Sequence, residues 1–150
     1  MNDIEIKIGN YQELGTDAHK VRDEVFCVEQ GIDYDIERDE YDEVATHSVV
    51  YENKIPVAAG RLVKKKSDYN LGRIATLKEY RGKGYGKMVT KFLMLWAYDN
   101  SITVLDLHAQ KSAVSFYEKL GFIPCGQPFS EAGIEHRSMS IVITPKVKEL

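Results

Sequence analysis

The stretch RIATLKEYRGKGYGKMVTKFLMLWAY, residues Arg73 to Tyr98, passes from strand-like alternation through a glycine and basic cluster straight into a long apolar run. Gly82, Gly84 and Gly86 alternate there with Lys83, Tyr85 and Lys87, and Arg81 precedes them all. A turn needs one or two glycines, so this spacing asks for a further purpose. The dinucleotide pattern GxGxxG fails, because it would need glycine where Lys87 stands. The Walker pattern fails as well, with Arg81 in place of a glycine and Met88 in place of Ser or Thr. The pattern RxxGxG fits, as Arg81, Gly84 and Gly86. Residues without a β-carbon let consecutive backbone N–H groups converge on one anion, and the following helix contributes its positive end. With Arg81, Lys83 and Lys87 adding charge, the cluster suits a pyrophosphate. The bland alternative is a flexible turn with solvated basic residues. The strand before it, the long helix after it and the third basic residue weigh against that.

Working outward, the 150 residues are 43% hydrophobic and 29% charged, which fits one globular domain spanning 1–150 with room for a core. No apolar run approaches the roughly 18 residues of a membrane span, and the start MNDIEIKIGN has no signal-peptide pattern, so a cytoplasmic protein without a membrane partner is expected. A net charge of -3 argues against a general nucleic-acid binder. Cys27 and Cys125 form no CxxC pair and have no zinc-like spacing with His19, His47, His108 or His136, so they are expected as buried free thiols, with no metal site.

Ile4 to Ile8 alternates as a half-buried strand does. From Thr16 as N-cap, Val21, Val25 and Val28, with Phe26, predict a helix face that ends at Gly31. The run Asp33 to Glu43 carries seven carboxylates against one arginine and reads as a solvated loop or irregular helix. A calcium loop is excluded by Arg38 and Val44 where glycine and glutamate would be needed. Three antiparallel strands follow, joined at Asn53–Lys54 and within KKKSDYN, whose lysines Lys64 to Lys66 read as a charged turn. Met88 to Tyr98 predicts a helix deep against a sheet, and Ile102 to Ala109 a strand. Ser112 is expected to cap a short helix with Ala113, Phe116 and Leu120 inward and Gly121 as a left-handed C-cap. Strands at Phe122 to Gly126 and Glu135 to Thr144 complete the order β α β β β α β α β β. That is a mixed, mostly antiparallel sheet with helices on both faces, an α/β (mixed α+β) class.

With both RIATLKEYRGKGYGKMV and AQKSAVSFYEKLGF in place, the chain resembles the GNAT superfamily of acyl-CoA-dependent N-acyltransferases from Ile4 to Thr144. VRDEVFCVEQGIDYD, the acidic run up to His47 and FSEAGIEHRSMSI are similar to its ElaA-type branch. The resemblance implies that Ile74, Ala75 and Thr76 form a splayed strand pairing with the pantetheine arm of coenzyme A, and that Gly82 to Lys87 hold the pyrophosphate. It places Tyr117 near the sulfur as general acid and Gln110 beside the cofactor. Gln110, Thr76 and Lys78 depart from the residues frequent in relatives, asparagine, valine and proline, and none of them touches the phosphate cradle.

Acyl transfer to an amine needs a neutral nucleophile, because a lysine-like amine has a pKa of about 10.4. Glu29, His47, His108, Glu131 and His136 are the candidate bases, acting directly, jointly or through water. Tyr117 could be a packed aromatic, but a phenol of pKa about 10 can protonate a leaving thiolate without being lost at neutral pH. Neither cysteine has a sequence partner that marks a nucleophile, so direct transfer from acetyl-CoA is expected. The acidic run suggests a cationic acceptor amine, with Glu131 and His136 in its pocket beside Glu29 and His108. The rival reading is a non-catalytic acyl-CoA sensor on the same fold. The sequence leaves homodimerisation and the identity of the amine open.

Overall fold

The computed structural model describes residues 2–150. Seven strands form one sheet in the order β1-β2-β3-β4-β5-β7-β6, antiparallel throughout except where β4 and β5 run parallel. They are β1 (Ile4–Gly9), β2 (Thr46–Glu52), β3 (Ile55–Lys65), β4 (Asp68–Thr76), β5 (Val104–Gln110), β6 (Ile123–Glu131) and β7 (Ile134–Val142). The helices are α1 (Tyr11–Arg22), α2 (Tyr34–Glu37), α3 (Tyr85–Asp99) and α4 (Val114–Lys119), and α1 runs on as a π-helix over Asp23–Glu29. The order of the larger elements is the one the sequence predicts.

Strands β2 and β3 are apolar on both sides because helices cover both faces. Val49 and Ala59 pack toward α1 with Leu14, Ala18 and Val21, whereas their neighbours Val50 and Ala58 pack toward α3 with Val89, Leu93 and Met94. Alternate side chains on a strand point to opposite faces, so consecutive apolar residues are what a doubly covered strand requires. Gly60 lets α3 close onto the sheet: a β-carbon there would lie 2.5 Å from Ile74 and 2.6 Å from Val89.

Several local expectations are corrected. The first helix is capped by Asn10, not Thr16; Asn10 and Glu13 satisfy each other's backbone N–H groups in a capping box. Its π-helical continuation turns Val25 and Phe26 inward but leaves Val28 62% exposed, because the wider turn breaks the 3.6-residue period that grouped them. Helix α3 begins at Tyr85, three residues before Met88. Ser112 lies in a 3-10 turn over Lys111–Ala113 and caps nothing; α4 starts after Ala113 with no side-chain cap. Strand β6 continues to Glu131, past a bulge between Cys125 and Phe129, so the final hairpin is longer than predicted. Cys125 is exposed and Cys27 half-buried, contrary to the expectation that both are buried.

The acidic run is the largest correction. It folds as α2 and a 3-10 turn over Glu40–Glu43, and Glu37 and Asp42 are buried. Arg22 at the end of α1 donates to Glu37 Oε2 at 2.6 Å and to Asp42 at 2.7 and 3.1 Å. Arg61 of β3 grips Asp39 and Asp42 at 2.7 Å, and Arg73 of β4 donates to the Glu37 carbonyl. Three arginines from separate elements therefore draw inward the carboxylates that local composition assigns to solvent.

Candidate functional site

Strands β4 and β5 pair only at Asn70↔Asp106 and Leu71↔Leu107 and then part. The cause lies in β4. Arg61 faces Gly72 and Ala59 faces Ala75, so Arg73 and Ile74 together oppose Gly60, and Arg73 takes a left-handed φ of 52°. Such a bulge bends its strand. Beyond Leu71 and Leu107 the two strands open a V, bordered on one arm by Ile74, Ala75 and Thr76 and on the other by His108, Ala109 and Gln110. A cleft of about 1040 Å³ runs through it.

The cleft continues to the glycine cluster. Gly82 and Gly84 have φ of 83° and 84°, and a β-carbon at either would meet nothing within 4 Å, so glycine is needed there for backbone conformation rather than space. Gly84 is the N-cap of α3 and offers no capping side chain, which leaves the N–H groups of the first turn free to point outward. Lys87 is exposed on that turn. The other charges are already engaged: Arg81 donates to Glu29 at 2.6 and 2.7 Å and to the Thr76 carbonyl, and Lys83 lies 3.3 Å from Glu52. Tyr85 turns behind the cradle, where its hydroxyl donates to Glu52 at 2.6 Å; that carboxylate pushes the phenol up to about 12.

Gln30 and Gln110 exchange amide hydrogen bonds of 2.8 and 3.3 Å across the opening. Together with Glu29–Arg81 this ties the end of the π-helix to both sides of the V. Tyr117 of α4 is packed edge-on between Phe116 and Phe122 and lines the cleft from the opposite face. Burial pushes its phenol up, and it stays protonated at any physiological pH.

At the other end of the cleft, His108, Glu131 and His136 meet. Glu131 Oε1 lies 3.0 Å from His108 Nδ1, and Oε2 lies 3.7 Å from His136 Nε2. The hydrogen bond from His108, with the charges of His108, His136 and Arg73, holds the Glu131 carboxyl below its usual range. Phe129 sits edge-on to His108 and stacks on His136. The bulge in β6 brings Phe129 opposite His136 and so assembles this group.

Of the candidate bases, His47 is misplaced. It is fully buried, donates from Nε2 to the Asp42 carbonyl at 2.8 Å and does not line the cleft, because its strand faces α1 at that position. The sequence reading missed Arg73, which lines the cleft beside Asp39. An arginine between apolar residues of a strand, as in LGRIAT, was the available signal. Neither cysteine lines the cleft. His19, Asp23 and Glu37 bring ligand atoms within 4.8 Å of one another, but Arg38 holds Asp23 and Arg22 holds Glu37, so this group is an ion-pair cluster.

The acetyltransferase (GNAT) domain family matches residues 10–143. YjcF of Bacillus subtilis, described as an uncharacterized N-acetyltransferase, is 38% identical over 133 residues, covering 88% of this chain and 95% of the relative. The crystal structure of Escherichia coli ElaA superposes with a TM-score of 0.81 at 25% identity, covering 91% of this chain and 98% of that one. An acyl-CoA N-acyltransferase from Pseudomonas aeruginosa shares the fold, with a TM-score of 0.81 at 24% identity over 92% of this chain and 99% of that one. The protein belongs to the GNAT acetyltransferase family and is by class an acyl-CoA-dependent N-acyltransferase. No helix among the described residues is long and apolar enough to cross a membrane.

Proposed function

We propose that the protein transfers an acetyl group from acetyl-CoA directly to an amine bound at the His108–Glu131 end of the cleft. The observation that carries this reading is the V between β4 and β5 running into the left-handed glycines at the start of α3. An extended pantetheine arm can add to the free edge of Ile74, Ala75 and Thr76. The pyrophosphate then meets the first-turn N–H groups of α3 and the charges of Lys87, Lys83 and Arg81. The acyl group is delivered to the apex of the V, near Gly72 and His108, with Gln110 beside the arm.

Tyr117 is assigned as general acid. Its phenol lines the cleft and is held protonated by burial, so a proton is present there for the departing thiolate. The absence of either cysteine from the cleft lining favours direct transfer over a covalent enzyme intermediate.

Ligand linkage tests the cofactor assignment. Acetyl-CoA and CoA raise the thermal midpoint and NAD does not, because only a ligand that binds the native state stabilises it. Gly84→Asp places a carboxylate in the cradle and abolishes the rise; because it also strains a left-handed turn, it lowers the midpoint of the free protein, and Lys87→Glu, which alters charge alone, diminishes the rise without that loss. An undiminished rise in Gly84→Asp excludes the cradle. Thiol release from acetyl-CoA across a panel of primary amines then identifies the acceptor.

A further inference from the structure

The candidate bases named from sequence are not equivalent in the folded chain. Glu29 is spent on Arg81 at the cofactor end, and His47 is sealed in the core. Glu131 is shared between two imidazoles, one for each carboxylate oxygen. The two histidines differ in access. His136 donates from Nδ1 to the Ile134 carbonyl at 2.7 Å, and its Nε2 lies 3.7 Å from Glu131 Oε2, too far for a hydrogen bond, in a side chain only 8% exposed, so burial withholds it from an arriving amine. His108 donates from Nδ1 to Glu131 Oε1, since an ionised carboxylate only accepts. That bond fixes the tautomer and leaves Nε2 as an unpartnered lone pair on a half-exposed ring that lines the cleft.

The position of His108 matters as much. Leu107 is the last β5 residue paired with β4, so His108 is the first residue past the apex of the V. Its ring plane is held by the edge-on contact to Phe129 at 4.9 Å. The charged group against it is Glu131 from β6, which in turn feels His136 from β7 and Arg73 from β4.

We infer that His108 is the general base of this enzyme, with Glu131 as the residue that positions and polarises it; the assignment rests on the acyl-transfer reading above. The acceptor arrives as an ammonium ion and gives one proton to His108 Nε2. The free amine attacks the thioester carbonyl, forming the C–N bond and placing the electron pair on oxygen. Collapse breaks the C–S bond, and the thiolate takes the proton of Tyr117. The surplus proton of the amide nitrogen passes to the Tyr117 phenolate, and His108 gives the proton it took to solvent, so that both residues are restored and one proton is released in total. Glu131 stabilises the imidazolium that forms without itself being protonated.

The test uses the amine with the highest specificity constant in the panel and reads rate against pH. In the wild type, kcat/KM falls on the acid side as the base protonates. His108→Gln lowers kcat on the order of a hundredfold or more at neutral pH, removes that acid limb and leaves the acetyl-CoA thermal shift intact. Glu131→Gln costs less, on the order of tenfold, and moves the acid limb to lower pH because no carboxylate stabilises the imidazolium. Added imidazole restores part of the rate of His108→Ala and none to Glu131→Gln. A His108→Gln variant that keeps the wild-type kcat and acid limb overturns the assignment, as does loss of the limb in His136→Gln alone. If the wild type neither binds acetyl-CoA nor releases thiol with any amine, the acyl-transfer reading itself falls and the base with it.

Discussion

Tyr117 has one polar atom in an aromatic setting, and its two readings separate cleanly at that atom. If it only packs, Tyr117→Phe is silent, since the ring and its contacts to Phe116 and Phe122 remain. As the acid for the thiolate, its loss lowers turnover on the order of a hundredfold with the acetyl-CoA dissociation constant unchanged. Steady-state kinetics beside a binding titration decides between them. Gly60 makes an opposite case, in which nothing but size matters. Gly60→Ala forces its methyl against Ile74 and Val89, where approaches of 2.5 and 2.6 Å leave no space for it. Overpacking of this kind costs about 1–3 kcal/mol, read as a lowered midpoint in urea. Because Ile74 also borders the V, acetyl-CoA affinity falls in the same variant.

Among elements, the π-helical end of α1 is the one whose behaviour should show in binding. Glu29 neutralises Arg81, and if Arg81 meets the cofactor's phosphates as proposed, the ligand must compete with an internal carboxylate. Both side chains are well exposed, and such a pair is worth at most about 1 kcal/mol. Glu29→Gln therefore leaves the thermal midpoint of the free protein in place and tightens CoA binding by about twofold to fivefold, with a steeper dependence on salt. Weaker binding in that variant would mean that Glu29 organises the cradle instead of blocking it. The existence of this segment was legible and its shape was not. Val21 and Val25 at helical spacing and Gly31 as terminator are local signals, and both held. The π-turn that leaves Val28 exposed has no such signal; it is seen only once Val25 and Phe26 are packed in the core. Asn10-x-x-Glu13 was readable as a capping box, yet Thr16 drew the boundary because the apolar face begins beside it. Likewise the alternation in β2 to β4 and the glycine spacing announced the halves of the cleft, whereas the V itself depends on a bulge at Arg73 that no residue type there demands.

For the molecule as a whole, the sequence's blind spot was buried charge, because burial of an ion is decided by partners far along the chain. Arg22, Arg61 and Arg73 come from α1, β3 and β4, and only the fold brings them to Glu37, Asp39 and Asp42. Three of the seven carboxylates of the acidic run are thereby neutralised from within, while Asp33, Asp35, Glu40 and Glu43 stay exposed. This cluster also sets how stability responds to acid. Burial, together with the neighbouring arginines, depresses His47 and His19 below the ordinary histidine value. A depressed histidine favours its neutral form in the native state, so stability is full above about pH 6.5 and declines as pH falls toward the folded value. Burial works against the Asp42 carboxylate, but the bonds and charges of Arg22 and Arg61 outweigh it and hold the carboxyl well below the usual range; its contribution is lost only below about pH 3.9. Thermal midpoints should thus fall gently from pH 7 to pH 5 and steeply below pH 4, with the first slope shallower in His47→Gln.

Removing one ion from this cluster distinguishes a structural network from a surface decoration. Arg22 is 1% exposed and supplies hydrogen bonds to two buried carboxylates, one of which, Glu37, already has an unpartnered buried oxygen. Arg22→Met keeps most of the volume but leaves Glu37 and Asp42 without their principal counter-ion, at a cost of about 3–5 kcal/mol. Arg38 is the control, since it pairs with Asp23 at 2.8 and 3.0 Å with its own side chain exposed and that of Asp23 partly so. Arg38→Met should cost less than about 1 kcal/mol. Because Glu37 and Asp39 also anchor Arg73 at the cleft, Arg22→Met should further weaken the acceptor's KM while Arg38→Met does not. Urea denaturation of the two variants gives the comparison. Equal and small losses would show that the chain relaxes to let water reach the carboxylates, and the cluster would then have no part in holding α1 and α2 against the sheet.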